Sequence, residues 1–244
     1  MKIIPLSEGS FTIDQTKVFI PFDKSTDNLR DRATGSLLVE IQPFAIETGR
    51  DVLLLDTGLG FHNRDGIMQI HQNLLDNGIQ PLAVTHVLLS HLHKDHAGGI
   101  QNNLLRGKLS FPNATYYVNR KEFEFASSEK SSSYVTEDFN LLESSGRLQL
   151  LDDNGWIDGY IRYELCGAHC PYHMAFWIEA EGRTIFFGGD VAPQLQQMKS
   201  RFIAKYDYDG KKSMELRVKW WEEGHAGNWT FLFYHDIKTP MVSL

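Results

Sequence analysis

Cysteine is scarce in this chain: two residues in 244, Cys166 and Cys170. That excludes the disulfide framework of a small secreted scaffold, which packs more bridges into a shorter chain. The pair reads as two free thiols of a reducing compartment. Basic charge is also in short supply. Lys and Arg number 24 against 31 Asp and Glu, a formal net charge of -7, and the basic runs are no denser than Lys211-Lys212. Duplex binding needs a basic stripe that displaces phosphate counterions, so no nucleic-acid partner is expected. No stretch approaches the ~18 apolar residues of a membrane span. The opening segment, Met1 to Gly9, lacks the apolar core of a secretory leader. Tandem repeats and low-complexity linkers are missing as well. The expectation is one soluble, cytoplasmic domain over residues 1–244, acting on a small molecule without a membrane; a homodimer is compatible with it.

What the chain does contain is short apolar runs alternating with helical patterns. Residues 10–20 and 36–46 are rich in β-branched and aromatic side chains and predict strands. Val52-Leu53-Leu54-Leu55 is a continuous apolar run, as in a strand buried on both faces, and it stops at Asp56-Thr57-Gly58. Residues 64–77 predict a helix closed by Gly78. Val84 to Leu89 predicts a buried strand running into His91. Ile100, Leu104 and Leu105 suggest a helix from Gly98, and further helices are expected at 120–128 and 134–144. In the second half, strands are expected at 147–151, 160–166, 174–180 and 184–187. The last two flank Glu181-Gly182, a hairpin turn signal. A helix at 211–223 and a strand at 229–234 follow. Trp220 and Trp221 read as core. The pattern is α/β, with mixed sheets covered by helices.

The densest chemistry lies in Ser90-His91-Leu92-His93-Lys94-Asp95-His96-Ala97-Gly98-Gly99. His91 and His93 are two apart at a strand end, so both imidazoles fall on one side of the chain and can share one metal ion. Asp95 and His96, in the turn that follows, can reach a second point close by. Three imidazoles and a carboxylate suit zinc or a similar borderline cation. At this histidine content the four offsets would arise by chance in roughly one such chain in a thousand. One loop cannot complete a metal cluster. Three further candidates each follow an apolar run: His169, Asp190 after Gly188-Gly189, and His235 after Phe231-Leu232-Phe233-Tyr234. By contrast, His62, His71, His86 and His225 fit no such pattern; His71 reads as surface and His86 as core or sheet edge.

The set closely resembles the signature of the metallo-β-lactamase-fold hydrolases. His91-x-His93-x-Asp95-His96 with Ala97-Gly98-Gly99 is similar to the family's central motif. Leu54-Leu55-Asp56-Thr57-Gly58 is similar to its first. His169-Cys170-Pro171-Tyr172-His173 resembles its His-x-Pro-Gly-His segment, with Tyr172 in place of glycine. Gly188-Gly189-Asp190 and Tyr234-His235-Asp236 resemble its last two. The resemblance implies a four-layer αββα sandwich holding two divalent metal ions at the sheet edges, zinc first, with Mn, Fe or Co accepted by the same ligands. It implies His91, His93 and His169 on one metal, Asp95, His96 and His235 on the other, and Asp190 bridging them. Asp56 and His173 would stand behind the ligands and orient them.

What the resemblance implies chemically is metal-assisted hydrolysis, with Asp95 or Asp190 handling the proton and no Ser or Cys nucleophile. The chain looks like the lactonase-related branch, which includes quorum-quenching lactonases, and the substrate this resemblance implies is a lactone or related ester. Members that use a pocket tyrosine often carry it three residues after the bridging Asp, where this chain has Pro193. A phosphodiesterase, a thioester hydrolase of the glyoxalase II type, and a metal-binding module without turnover stay open as alternatives.

Overall fold

The computed structural model describes residues 1–105 and 107–244. In chain order the strands are β1 (Lys2–Pro5), β2 (Gly9–Ile13), β3 (Ile20–Pro21), β4 (Leu37–Ile41), β5 (Phe44–Glu47), β6 (Val52–Leu55), β7 (His86–Leu88), β8 (Thr115–Asn119), β9 (Leu148–Leu151), β10 (Asn154–Ile157), β11 (Ile161–Leu165), β12 (Met174–Ala180), β13 (Arg183–Phe187), β14 (Thr230–Leu232) and β15 (Met241–Ser243). The α-helices are α1 (Gln69–Asp76), α2 (Lys94–Ala97), α3 (Arg120–Ser128), α4 (Thr136–Phe139), α5 (Leu141–Ser145), α6 (Leu195–Met198) and α7 (Gly210–Gly227). Two six-stranded sheets form, in the orders β1-β5-β6-β7-β8-β9 and β10-β11-β12-β13-β14-β15, with a small third sheet β3-β2-β4. No helix among the described residues is long and apolar enough to cross a membrane.

The layers follow from the period of two along each strand. Leu53 and Leu55 face one way and join Phe176, Ile178, Ile185, Phe187 and Leu232 in a core between the two sheets. Leu54 faces the other way and packs with Ile70, Leu74, Ala126, Phe139 and Leu142 from helices α1, α3, α4 and α5. On the second sheet, Ala175, Trp177, Phe186 and Phe231 turn outward to Met198 and Trp220 of α6 and α7. Helix, sheet, sheet, helix is the αββα sandwich expected from the sequence. A strand buried on both faces needs apolar side chains throughout, which is why 52–55 shows no alternation. Each such fully buried Leu contributes about 1.5–3 kcal/mol.

The Glu181-Gly182 hairpin is as expected: both residues take positive φ, 53° and 69°, the geometry of a tight turn matched to strand twist. Several boundaries differ. The 10–20 strand breaks after Ile13, where Asp14 accepts hydrogen bonds from the Thr16 amide and hydroxyl and turns the chain. The 36–46 strand is two strands in different sheets, separated at Gln42-Pro43. The 64–77 helix starts only at Gln69, because the Asn63 side chain binds the Asp65 and Ile67 amides in a competing turn. The 134–144 helix divides at Asn140 into α4 and α5.

No helix starts at Gly98. A Cβ on Gly98 or Gly99 would lie 2.5 Å from the Leu59 carbonyl oxygen or 2.1 Å from that of Thr57. The two glycines serve close backbone packing, and Leu104 and Leu105 are exposed in the turns that follow.

Candidate metal centre

Strands β6 and β7 run parallel in the first sheet, and β13 and β14 run parallel in the second. Their carboxyl ends, with the β11–β12 connection, deliver the loops holding Asp56, His91 to His96, His169 to His173, Asp190 and His235. The seven side chains singled out as ligands converge there. Ligand atoms of His91, His93 and His169 lie within 4.8 Å of one another, as do those of Asp95, His96 and His235, and those of His91, His96 and Asp190. Asp190 stands between the two triads. Its Oδ2 is 3.3 Å from His169 Nε2, while its Oδ1 is 3.2 Å from His96 Nε2 and 3.0 Å from His235 Nε2.

The far side of each ring fixes which nitrogen is bare. Ser90 Oγ donates to Asp56 Oδ2 at 2.7 Å, so it accepts from His91 Nδ1 at 3.0 Å. His96 Nδ1 donates to Asp56 Oδ2 at 2.7 Å. His169 Nδ1 donates to Asp207 Oδ1 at 2.9 Å, and His235 Nδ1 to the Glu40 carbonyl oxygen at 2.7 Å. When these four rings are neutral, Nδ1 holds the proton and Nε2 turns its lone pair inward. His93 is reversed and presents Nδ1, 2.9 Å from His91 Nε2 and 3.3 Å from His169 Nε2. Asp56 reaches its partners at φ 55°, a left-handed conformation that a non-glycine residue adopts at a cost. It also accepts the Ser90 amide at 2.7 Å.

The donor set fits divalent cations. His96 Nε2 and Asp190 Oδ1 are buried without a hydrogen-bond partner among the described residues, which leaves polar atoms uncompensated unless a cation sits between them. Burial disfavours protonation of His96, yet Asp190, Asp95 and Asp56 outweigh it and hold the ring well above the usual histidine range. His235 is raised too: burial opposes its proton and Asp190 favours it. Burial pushes Asp190 up, and the surrounding His235, His96 and His169 draw it well below the usual carboxylate range. His91 and His93 are driven down, first by burial. The centre therefore attracts positive charge at Asp190 and keeps neutral imidazoles at His91 and His93, as a cation site requires.

His173 is wholly buried and belongs to none of the three ligand groups, although its ring packs 4.9 Å between centroids from that of His91. Its Nε2 accepts the Asp190 amide at 3.1 Å, and its Nδ1 lies 3.5 Å from Cys166 Sγ. Both cysteines are free, and burial pushes both thiols up.

Two supporting residues have no mark in the sequence. Asp207, the partner of His169, sits on a segment whose Tyr208 and Asp209 amides donate to the His169 and Ala168 carbonyls at 2.9 and 2.8 Å. Arg217 of α7, almost wholly buried, donates to the Val191 carbonyl at 2.9 Å and to that of Phe202, tying the Asp190 loop to the same segment. A lone carboxylate and a lone guanidinium in these stretches resemble surface charge until the tertiary contact is known. Pro193 supplies no hydroxyl; its carbonyl accepts the His235 amide at 3.0 Å. Tyrosines that border the centre include Tyr234, stacked 4.1 Å between centroids from His96, Tyr134, 4.7 Å from His93, and Tyr206, 6.2 Å from His169. His71 is half-buried rather than surface: its Nε2 lies 3.0 Å from the Ser110 carbonyl oxygen. His86 and Trp220 are buried as expected.

Comparison with known proteins adds a family to this geometry. The sequence model of the Metallo-beta-lactamase superfamily matches residues 41–230. The curated N-acyl homoserine lactonase AttM of Azorhizobium caulinodans is 33% identical over 114 residues, covering 41% of this chain and 38% of that protein. The aligned part thus spans well under half of that relative's length. Among solved structures, a probable metal-dependent hydrolase from Staphylococcus aureus superposes with a TM-score of 0.81 at 22% identity, covering 99% of this chain and 91% of that one. AidC, a dizinc quorum-quenching lactonase, superposes with a TM-score of 0.73 at 19% identity, covering 98% and 88%. At those identities the likeness concerns the fold.

Proposed function

The chain belongs to the Metallo-beta-lactamase superfamily, and on that premise we propose that it is a dinuclear metal-dependent hydrolase cleaving a lactone or a related carboxylic ester. The observation that carries the reading is Asp190, with one carboxylate oxygen toward His169 and the other toward His96 and His235. A carboxylate placed so would be available to both cations of a two-metal hydrolytic site. His91, His93 and His169 would hold one, Asp95, His96 and His235 the other. Zinc suits the donors, and Mn, Fe or Co would be accepted.

Bound there, the cations would supply an acidified water near neutral pH and a Lewis acid for the substrate's carbonyl oxygen. The chain's own groups do the remaining work. Asp95 Oδ2, 3.6 Å from His235 Nε2, and Asp190 are the carboxylates at the reacting centre; they orient the attacking water and carry its proton to the leaving alkoxide. Asp56 and Asp207 keep His96 and His169 in the tautomer that leaves Nε2 free. His173 holds the Asp190 backbone. Neither thiol is poised as a nucleophile. The lactone preference is supported by the resemblance to AttM, named a lactonase. Residues 1–244 are read as one catalytic domain, because the core between the sheets draws on both halves.

The test combines metal analysis with turnover. Purified protein should carry two equivalents of divalent cation and hydrolyse an acyl lactone. His93→Ala and Asp190→Ala should each lose metal and activity. Full cation content and full rate in both variants would refute the proposal. Cation binding without turnover of lactone, thioester or phosphodiester substrates would identify a binding module, and turnover confined to a thioester or phosphodiester would move the substrate class.

A further inference from the structure

Glu122 is a fully buried carboxylate that, among the described residues, hydrogen-bonds to none of the candidate ligands themselves, yet touches the residues beside one set of them. It enters through the start of α3, where the Asn119 side chain accepts the Lys121 and Glu122 amides at 2.9 and 3.3 Å and caps the helix. From that first turn the side chain points inward. Its Oε1 accepts the Leu92 amide at 2.9 Å, and Leu92 lies between His91 and His93. Its Oε2 accepts the Cys170 thiol, with sulfur at 3.7 Å, and Cys170 follows His169. The Tyr134 hydroxyl is buried, with no hydrogen-bond partner among the described residues. The Tyr134 ring lies against His93, and its backbone forms an antiparallel bridge with His93.

Burying a carboxylate costs several kcal/mol of solvation, and an apolar residue would fill the space more cheaply if packing were the only need. The Leu92 amide explains the choice. Residues 90–93 lie between β7 and α2, and no other acceptor for that amide occurs among the described residues. The acceptor it finds also grips the 167–173 loop. Among the described residues, no hydrogen bond links Glu122 to the neighbours of Asp95, His96 or His235 in the same way.

We propose that Glu122 is the positioning residue of the His91, His93 and His169 triad, holding all three imidazoles in register for one cation while leaving the other triad untouched. This rests on the dinuclear reading above. It predicts a selective defect. Cobalt(II) serves as the probe, its two binding steps followed by absorption and by competition with a chelator. His169→Ala and His235→Ala identify which step belongs to which triad.

In Glu122→Ala the step belonging to the His91, His93 and His169 triad should weaken by about 10- to 100-fold, and the other should stay within about threefold of wild type. Glu122→Gln, which keeps an oxygen for the Leu92 amide, should recover most of the loss. Cys170→Ala removes the arm to the 167–173 loop and should shift the same step by less; it carries the test if Glu122→Ala does not fold. Equal weakening of both steps, or no change in either, overturns the assignment while leaving the dinuclear reading intact. A wild-type protein that takes up fewer than two equivalents overturns the dinuclear reading and the Glu122 role with it.

Discussion

Asp207 Oδ1 lies 2.9 Å from Nδ1 of His169, joining residues 38 positions apart in the chain. The carboxylate fixes the ring's tautomer and increases the basicity of the opposite nitrogen. Asp207→Ala should therefore weaken cation binding by about 10- to 100-fold, measured by competition with a coloured chelator. Wild-type affinity in the variant would show that the contact is incidental.

Cation removal should lower stability as well as activity. A ligand that binds only the folded state adds RT ln(1 + [L]/Kd), about 4 kcal/mol per site when free cation exceeds Kd a thousandfold. Thermal melts in the presence of chelator should fall well below melts in zinc, and the gap should shrink in His93→Ala. Melting temperatures indifferent to zinc would contradict the cluster's role as a cation site.

Glu8 predicts a pH dependence of a definite sign. Burial pushes its carboxyl up to about 8, with the nearby Asp95 adding to the rise and the Leu59 amide, 2.7 Å away, opposing it. The unfolded chain ionises near 4.5. Between those values the folded state holds a proton that the unfolded state has released, so stability falls as pH rises from about 4.5 to about 8. Glu8→Gln removes the titration. Its advantage over wild type should grow across that window by on the order of a few kcal/mol, read from urea unfolding at several pH values. A difference that stays flat with pH counts against it.

Trp220 anchors the outer face of the second sheet. It is 2% exposed and lies 6.1 Å from Trp177 and 4.9 Å from Phe186 between ring centroids. Trp220→Ala should cost about 3–5 kcal/mol in denaturant unfolding. A loss under about 1 kcal/mol would mean that the site collapses around the smaller side chain.

Gly99 holds the 57–60 loop against the ligand loop. Thr57 donates to the His96 carbonyl from both its amide and its hydroxyl, at 2.7 and 2.8 Å. A Cβ at Gly99 would be 2.1 Å from the Thr57 carbonyl oxygen. Gly99→Ala should cost about 1–3 kcal/mol and weaken cation binding, checked by unfolding and chelator competition on one preparation. A variant as stable as wild type would show that the loops can separate freely.

Much of this was legible in the sequence where one physical cause acts alone. The 91–96 run concentrates ligand chemistry in six positions, and the 52–55 run has the composition that burial on both faces demands. Strands β1, β10 and β15 were not legible. Each has three or four residues, and what makes it a strand is the neighbour it pairs with. Thr115–Asn119 is rich in β-branched and aromatic residues and carries a strand signal of its own. Leu104 and Leu105 misled for the opposite reason: helical spacing arose without burial. Asp207 and Glu122 are two among 31 acidic residues, and nothing local separates a carboxylate that will be enclosed from one that faces water. Only the tertiary contacts with His169 and Leu92 do that.

The division of ligands between the two sheets governs the order in which the protein can be built. Each triad takes two members from the 91–96 loop and its third, His169 or His235, from the second sheet. A ribosome-bound chain that has emerged only through β9 holds four of the seven side chains but neither complete set. On the two-cation proposal, ion capture would then wait for the second sheet to dock, and metal loading would become a report that synthesis and folding have both finished.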